Sequence, residues 1–194
     1  MPPKKKNAQK ELNSTIRIIA GQWRGRKLTV TNAEGLRPTG DRVRETLFNW
    51  LMPHTAGSRC LDLYAGTGAL GLEALSRGAS FVQFAEYNSA AAQQLNRNLQ
   101  TLQCSDAQVY TGDAQKLLES GGEPYDIIFI DPPFSQNLWL HSLELLVQKG
   151  FLHRDTLVYI EHPKSQTLAF APQWQCHREK TAGDVCYALH QFLC

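Results

Sequence analysis

The segment Asp131-Pro132-Pro133-Phe134 follows the apolar run 125–130, and its residue types suit chemistry on an amine. Two prolines fix the backbone and remove two amide donors, so the Asp131 carboxylate and the local carbonyl groups form a cluster of acceptors. Such a cluster binds an NH2 group and favours a more pyramidal nitrogen, whose lone pair then points at an electrophilic methyl group. Phe134 can stack on a planar base. We therefore predict a site that positions an exocyclic amine for methyl transfer.

A second motif, LDLYAGTGALG, occupies residues 61–71. Asp62 lies in a predicted buried strand, and Gly66, Gly68 and Gly71 form a G-x-G-x-x-G turn that opens a helix and lets backbone approach a ligand. Glu86 ends the next predicted strand, twenty residues after Gly66, where a carboxylate can accept hydrogen bonds from a ribose diol. These features fit a nicotinamide dinucleotide as well as S-adenosylmethionine. The alternative is that these glycines form only a tight connection between strand and helix and bind no ligand.

A third motif, TGDA, covers residues 111–114 after another predicted strand. Asp113 can accept a hydrogen bond from an adenine amino group at this position. It can equally act only as the N-cap of the helix that follows. The residues alone leave both roles open.

Alternating strands and helices must position these motifs. Candidate strands are 60–64, 81–85, 108–111, 125–130 and 157–161, and candidate helices are 70–76, 89–102, 114–119 and 138–148. This alternation predicts an α/β fold with a mostly parallel sheet covered on both faces. Segments 174–180 and 185–192 predict a C-terminal antiparallel hairpin. Before the sheet, we predict a small β-hairpin and a helix over 41–52 that Pro53 ends, and Asn88 is placed to cap the longest helix.

Length and composition bound the class of protein. The 194 residues fit one domain with a small appendage, and 42% hydrophobic and 20% charged residues exclude a wholly disordered, fibrous or disulfide-scaffold protein. The sequence shows neither a membrane-length apolar run nor a secretory signal, so we expect a cytoplasmic protein. The scattered cysteines predict reduced thiols in or near the core: Cys60, Cys104, Cys176, Cys186 and Cys194.

The net charge of +2 is unevenly distributed. Residues 1–45 carry eleven Lys and Arg against four acidic residues, whereas the remainder carries nine basic and fourteen acidic residues. A basic front end indicates either a polyanionic partner or a solubilising tail. In GQWRGRKL, Trp23 stands among Arg24, Arg26 and Lys27, and this mixture suits phosphate contact and base stacking. The pattern favours a nucleic acid as the partner.

The order LDLYAGTG, Glu86, GDA and DPPF resembles the class I S-adenosylmethionine-dependent methyltransferases that modify exocyclic amino groups. Three segments resemble more closely the RsmD family of bacterial 16S rRNA guanine-N2 methyltransferases: RIIAGQWRGRKL (17–28), LRPTGDRVRETLFNWL (36–51) and LDLYAGTGALGLEALSRGA (61–79). The glycine turn and DPPF are superfamily-wide, whereas GQWRGRKL and RPTGDRVRETLFNW are specific to this family. The similarity runs from about residue 16 to the end of the chain.

This resemblance implies a Rossmann-like class I fold and methylation of the N2 amine of one guanine in small-subunit rRNA. The implied cofactor is S-adenosylmethionine, with S-adenosylhomocysteine as product and no metal. The implied substrate is 16S rRNA within an assembled or assembling subunit that contains ribosomal proteins, and the expected protein is a monomer. The chain then divides into a flexible basic arm (1–15), an RNA-facing hairpin and helix (16–54) and a methyltransferase domain (55–194).

The resemblance also implies roles for individual residues. It places the methionine part of the cofactor at the turn from Asp62 to Gly68, the ribose at Glu86 and the adenine near Asp113 and Ala114. The turn includes Tyr64, Ala65 and Gly66. The target guanine falls at Asp131, Pro132 and Phe134. The implied RNA contacts are Pro133, Arg24, Arg26, Lys27, Arg42 and Arg44.

Other functions fit parts of the sequence. A DNA amino-methyltransferase would use the same loop, but the short chain offers no evident DNA-recognition domain. A protein glutamine methyltransferase usually begins its Pro-Pro loop with Asn rather than Asp131. A nicotinamide-dependent oxidoreductase leaves DPPF and the N-terminal arginines unused. A catalytically inactive ribosome assembly factor would keep the fold, although the intact Asp131 loop argues against it.

Overall fold

The computed structural model of the protein describes residues 14–31 and 40–193. Its strands are β1 (Ser14–Arg17), β2 (Lys27–Val30), β3 (Arg59–Asp62), β4 (Phe81–Glu86), β5 (Ala107–Thr111), β6 (Ile127–Ile130), β7 (Leu157–Pro163), β8 (Trp174–Ala182) and β9 (Val185–Phe192). Its α-helices are α1 (Asp41–Trp50), α2 (Met52–Thr55), α3 (Ala69–Ser76), α4 (Ser89–Thr101), α5 (Ala114–Glu119) and α6 (Trp139–Gln148), and a 3-10 turn covers Phe134–Gln136. Residues 1–13 of the predicted basic arm lie outside the described residues.

A mixed sheet forms the centre of the protein. The described strands from β3 onwards pair in the order β5-β4-β3-β6-β7-β9-β8. The first five strands of this order are parallel, whereas β9 is antiparallel to both of its neighbours. The strands β4 and β5 are added on one side of β3, whereas β6 and β7 are added on its other side. The direction of strand addition therefore reverses between β3 and β6, which is a topological switch point. The predicted Rossmann-like α/β fold with a C-terminal antiparallel hairpin is confirmed.

Helices cover both faces of the sheet, as its parallel strands require. On one face α1, α3, α4 and the β1–β2 hairpin pack into a cluster that includes Phe48, Leu95 and Phe129. On the other face α5 and α6 pack into a second cluster, which includes Trp139 and Ile130. Successive residues of β6 therefore point to opposite faces. Within the described residues, no helix is long and apolar enough to cross a membrane.

A buried carboxylate fastens the β1–β2 hairpin to α3. Glu73 is fully buried and accepts hydrogen bonds from the backbone N–H groups of Ile19 at 2.8 Å and Ala20 at 3.0 Å. Arg77 Nε donates to the same carboxylate at 2.7 Å, so the buried charge is paired. At the end of α3, Ser76 Oγ accepts from the Trp23 N–H at 3.0 Å. These contacts hold the hairpin in one orientation against the sheet domain.

Two local predictions are wrong. The helix α1 ends at Trp50, and Pro53 does not end it but lies in the first turn of α2, where the missing N–H is not needed. Cys176 is exposed on the edge strand β8 rather than in or near the core. Cys60 and Cys186 are buried as predicted.

Candidate active site

The glycine turn and the Asp131 loop lie side by side at the carboxyl edge of the sheet. The turn follows β3 and the loop follows β6, and these strands pair in parallel up to Asp62 opposite Phe129. The pairing continues one residue further, because the Leu63 N–H donates to the Phe129 carbonyl at 3.1 Å. The predicted cofactor site and the predicted amine site therefore share one edge.

The turn after β3 needs glycine at two positions. Gly66 and Gly68 have φ angles of +52° and +76°, a conformation that residues with a Cβ rarely adopt. Gly68 precedes α3, and its N–H donates to the Ala65 carbonyl at 2.7 Å. A Cβ at Gly68 would lie 2.5 Å from Leu95 Cδ1 of α4. The turn is therefore packed against α4.

Asp62, the last residue of β3, is a buried carboxyl below this turn. Its Oδ2 accepts a hydrogen bond from the Gly71 N–H at 3.0 Å. Burial raises the pKa of Asp62 to about 7, and the nearby Glu86 carboxylate adds to the rise, while the Gly71 hydrogen bond opposes it. Asp62 therefore changes charge near neutral pH, and its ionised form favours a cationic group on a ligand.

Glu86 connects the turns that follow β3 and β4. Its Oε2 accepts from the Gly66 N–H at 2.6 Å, and its Oε1 accepts from the Asn88 N–H at 2.7 Å. Burial raises the pKa of Glu86, and these two hydrogen bonds act in the opposite direction. A carboxylate has about four lone-pair sites, so Glu86 can accept two further hydrogen bonds from a vicinal diol. Asn88 also caps α4, as predicted, by accepting from the Ala90 and Ala91 N–H groups.

Asp113 is the N-cap of α5. Its Oδ1 accepts a hydrogen bond from the Gln115 N–H at 2.8 Å, which is the structural role that the sequence allowed. Ala114 is the first residue of the helix and is buried. The contact of Asp113 and Ala114 with adenine stays a prediction.

A side-chain network that the sequence does not indicate lies next to the glycine turn. Gln115 Nε2 donates to the Tyr64 hydroxyl at 2.5 Å and to Ser142 Oγ at 3.0 Å. The two hydroxyl oxygens are 2.8 Å apart. Burial raises the pKa of Tyr64 to about 12, so its hydroxyl stays protonated. The partners are separated by 51 and 78 residues in sequence, and no local pattern marks such a contact.

The Asp131 loop leaves the buried strand β6 with its residues in different environments. Asp131 is half-buried, Pro132 is buried and Pro133 is exposed. The Phe134 side chain is 37% exposed, and its ring centroid lies 5.9 Å from that of Trp139. A cavity of about 540 Å³ is lined by Phe134, Pro163, Lys164, Ser165, Asp184 and Val185. This volume is within the range of ligand pockets.

The predicted RNA-contacting cations on the hairpin are accessible. Arg24, Arg26 and Lys27 are exposed in the turn and at the start of β2, next to the partly buried Trp23. Arg26 Nη2 donates to the Thr101 carbonyl at the end of α4 at 3.4 Å. The hairpin therefore presents three cations to solvent from a fixed position.

The structure gives the two predicted cations of α1 different environments. Arg42 is exposed. Arg44 is only 2% exposed, and its Nη2 donates to the Arg17 carbonyl at 2.9 Å and to Asp41 Oδ1 at 2.5 Å. A side chain buried in this way does not reach a polyanion, so the predicted RNA contact of Arg44 is replaced by a structural role. Arg44 holds the end of β1 against the start of α1.

Comparison with known proteins identifies one matching family model and several relatives that are similar over most of the chain. The family model described as "Conserved hypothetical protein 95" matches residues 16–191. "Ribosomal RNA small subunit methyltransferase D" of Escherichia coli K12 is 50% identical over 177 residues, covering 91% of this chain and 89% of the relative. The protein of the same name from Haemophilus influenzae is 49% identical over 180 residues, covering 91% and 93%. The solved structure of "Putative methyltransferase yhhF" from Escherichia coli gives a TM-score of 0.87 at 48% identity, covering 93% of this chain and 99% of that chain.

Proposed function

The chain belongs to the family described as Conserved hypothetical protein 95, and from this premise we propose that it transfers a methyl group from S-adenosylmethionine to the N2 amine of a guanine in 16S rRNA. The relatives named Ribosomal RNA small subunit methyltransferase D support an rRNA substrate in the small subunit. The observation that carries the proposal is the adjacency of the glycine turn and the Asp131 loop on the paired strands β3 and β6. A methyl donor and an amine acceptor must meet at such a point.

The residues at the carboxyl edge fit S-adenosylmethionine by their chemistry. Asp62 offers a carboxylate to the amino group of its methionine part, and Glu86 offers acceptor capacity to its ribose hydroxyls. Tyr64, Ala65, Gly66 and Gly68 form the turn along which the methionine part lies. Asp113 and Ala114 lie at the start of α5, where adenine binds in this proposal. When bound, S-adenosylmethionine supplies an electrophilic methyl group.

Asp131 prepares the amine for the reaction. Its carboxylate accepts an N–H of the guanine N2 group and stabilises the positive charge that develops on that nitrogen. Pro132 fixes the loop that presents Asp131, and Phe134 stacks on the base and limits its orientations. The nitrogen takes the methyl group, which would leave S-adenosylhomocysteine as the product, and then loses one proton to water, so orientation and charge stabilisation suffice without a separate general base.

The β1–β2 hairpin binds the RNA that surrounds the target base. Arg24, Arg26 and Lys27 contact phosphates, which gives sequence-independent affinity. Arg42 on α1 and Pro133 in the Asp131 loop extend the contact surface towards the target base. Because Glu73 holds the hairpin on α3, these cations are ordered before RNA binds and less conformational entropy is lost.

The direct test uses labelled S-adenosylmethionine with small ribosomal subunits that lack guanine-N2 methylation, with naked rRNA and DNA as parallel substrates. The methylated nucleoside is then identified by chromatography and mass spectrometry. We expect N2-methylguanosine from subunits or rRNA. Label in DNA would instead support the DNA amino-methyltransferase, and cofactor binding without transfer to any substrate would support the inactive assembly factor.

A further inference from the structure

A second cavity lies between the β1–β2 hairpin and the loop that follows α4. Its volume is about 350 Å³, which is within the range of ligand pockets. Its lining includes Gln22, Trp23, Leu75, Leu102, Gln103 and Asp106. Asp106 directly precedes β5, and Leu75 is near the end of α3, the helix that begins at the glycine turn. The cavity therefore lies at the amino edge of the sheet, opposite to the edge that carries the candidate active site.

Backbone hydrogen bonds hold both walls of this cavity in place. On the hairpin side, the Gln22 N–H donates to the Ser76 carbonyl at 2.7 Å, and the Trp23 N–H donates to Ser76 Oγ at 3.0 Å. On the other side, the Asp106 carbonyl accepts from the Val82 N–H of β4 at 3.0 Å. The cavity is therefore formed before a ligand arrives, so little conformational entropy is lost on binding.

The lining combines apolar surface with polar groups. Leu75 and Leu102 are buried, and the half-buried Trp23 packs against the same core cluster. Gln22, Gln103 and Asp106 are exposed. The two amides carry both donors and acceptors, and the carboxylate carries acceptors. This combination suits a flat ring whose faces contact apolar surface and whose edge forms hydrogen bonds, as the faces and edge of a nucleobase do.

Cations border the cavity on two sides. Arg24 directly follows Trp23 and is exposed. Arg26 Nη2 donates to the Thr101 carbonyl at 3.4 Å, one residue before Leu102 of the lining, so this guanidinium extends from the hairpin to the end of α4. A nucleotide whose base enters the cavity would therefore have its phosphate close to positive charge.

We propose that this cavity binds one unpaired base of the RNA, other than the base that is methylated, with Trp23 as the stacking surface. The inference rests on the proposed function, because it takes RNA as the partner. Phosphate contacts alone do not distinguish paired from unpaired RNA, whereas the cavity admits only a base that lies outside a duplex. Because stacking tolerates every base and the amides offer both donors and acceptors, the site selects an unpaired nucleotide rather than a particular sequence.

Two thiols allow a test on the unaltered protein. Cys104 lines the cavity, whereas Cys176 is exposed on β8, at the other end of the strand order. Burial raises the pKa of both thiols, so alkylation by iodoacetamide is run in alkaline buffer and followed at each cysteine by mass spectrometry. The probe is a short single-stranded RNA of mixed sequence. At about ten times its Kd about a tenth of the sites stay empty, so we expect alkylation of Cys104 to slow about tenfold and that of Cys176 to stay unchanged.

An abasic RNA of the same length separates base binding from phosphate binding. It should bind the cations and leave Cys104 reactive. Equal protection of Cys104 by both RNAs, or no protection by either, overturns the inference. Protection by the base-containing RNA alone supports the cavity, and if this protein nevertheless transfers no methyl group to small subunits or rRNA, the proposed function is overturned while the cavity stands.

Substitutions at Trp23 provide an independent measurement. Trp23→Ala should lower the affinity for the base-containing RNA about tenfold, measured by fluorescence anisotropy, and leave that for the abasic RNA unchanged. The slope of affinity against salt concentration should stay at the wild-type value, because stacking releases no counterions. Trp23→Phe keeps an aromatic ring and should retain most of the preference for bases. A W23A protein that keeps the full wild-type preference overturns the role of Trp23 as the stacking surface.

Discussion

The backbone N–H of Gly66 donates a 2.6 Å hydrogen bond to the carboxylate of Glu86, across two neighbouring strands of the sheet. Glu86→Ala removes this acceptor and the one for the Asn88 N–H. A buried N–H left without a partner costs about 1–3 kcal/mol, so we expect the turn to loosen. The Kd for S-adenosylhomocysteine should rise about tenfold or more, measured by isothermal titration calorimetry. Glu119→Ala, at an exposed carboxyl of α5, is the control, and equal affinities of E86A and E119A would contradict this role.

Asp62 should make cofactor binding depend on pH. With a pKa of about 7, its carboxyl loses its charge as the pH falls below neutrality, and with it the attraction for the cofactor's amino group. We expect affinity for S-adenosylmethionine to fall between about pH 8 and about pH 6, and Asp62→Asn to bind weakly with little dependence on pH. Titration calorimetry across this range tests the prediction. A D62N protein that keeps the wild-type pH dependence would assign the titration to another group.

The raised pKa of Asp62 changes the stability of the fold with pH in the direction opposite to its effect on cofactor binding. The folded-state value lies above the ordinary 3.8, so the protonated carboxyl favours the folded state. Asp62 therefore contributes stability that is complete below pH 3.8 and is lost as the pH rises to about 7. Binding of a cation and stability of the free protein thus favour different charge states of one residue.

Asp131→Ala should separate methyl transfer from cofactor binding. Removing one preorganised polar group from a reacting centre typically lowers the rate by about 10²–10³-fold, and we expect a loss of this size in single-turnover transfer to small subunits. The Kd for S-adenosylhomocysteine should stay unchanged. Ser135→Ala, at an exposed neighbour in the 3-10 turn, serves as the control. Full activity of D131A would remove Asp131 from the mechanism.

The hairpin cations should determine the salt dependence of RNA binding. Each phosphate contact contributes about 0.7–0.9 to the slope of log K against log salt concentration. Replacing Arg24, Arg26 and Lys27 with Ala should therefore lower the slope by about 2 to 3, measured by fluorescence anisotropy over a salt series. Arg44 is left intact in this variant because it is buried.

A charge-matched control removes three exposed cations from the opposite face. Lys116, Lys149 and Arg154 belong to α5, the end of α6 and the loop before β7. Their replacement changes the net charge equally but should leave the slope near the wild-type value. Equal slopes for the two triple variants would show that only net charge matters.

His190 should weaken the fold in mild acid. Burial lowers its pKa from 6.5 to about 4, with smaller contributions from His162 and His177, and its ring stacks on Phe170. The unfolded chain takes up the proton first, so the free energy of unfolding falls as the pH drops from 6.5 towards 4, by at most about 3 kcal/mol. Urea unfolding at several pH values measures this change. His190→Gln should flatten the curve in this window, and an unchanged curve would refute the assignment.

Local patterns predicted most of the fold. The helix predicted at 114–119 is found as Ala114–Glu119, and Asn88 caps α4 as expected, because turns and caps depend on neighbours within a few residues. The end of α1 was harder to predict, since proline is tolerated in the first turn of a helix and only tertiary packing decides which helix contains Pro53.

The contacts that shape the site depend on residues far apart in sequence. Glu73 binds backbone groups more than fifty residues earlier, and Gln115 joins Tyr64 to Ser142. The alternation of strands and helices does not determine these residue pairs, because they form only when the elements pack against one another. The burial of Arg44 has the same origin, since its partners are the Arg17 carbonyl and Asp41. Sequence motifs indicate which residues carry the predicted chemistry, and packing determines which residues hold them in place.

Helix α3 begins at the glycine turn and carries the anchor of the hairpin on Glu73 and Ser76. Eight residues of α-helix span about 12 Å, so one short segment separates the glycine turn, which is the proposed cofactor site, from the anchor of the hairpin, which is the proposed RNA site. The length of α3 therefore fixes the distance between the glycine turn and the hairpin anchor. In the proposed function, an RNA held by the hairpin would present only the nucleotide at that distance, so the choice of target would depend on distance as well as on base identity.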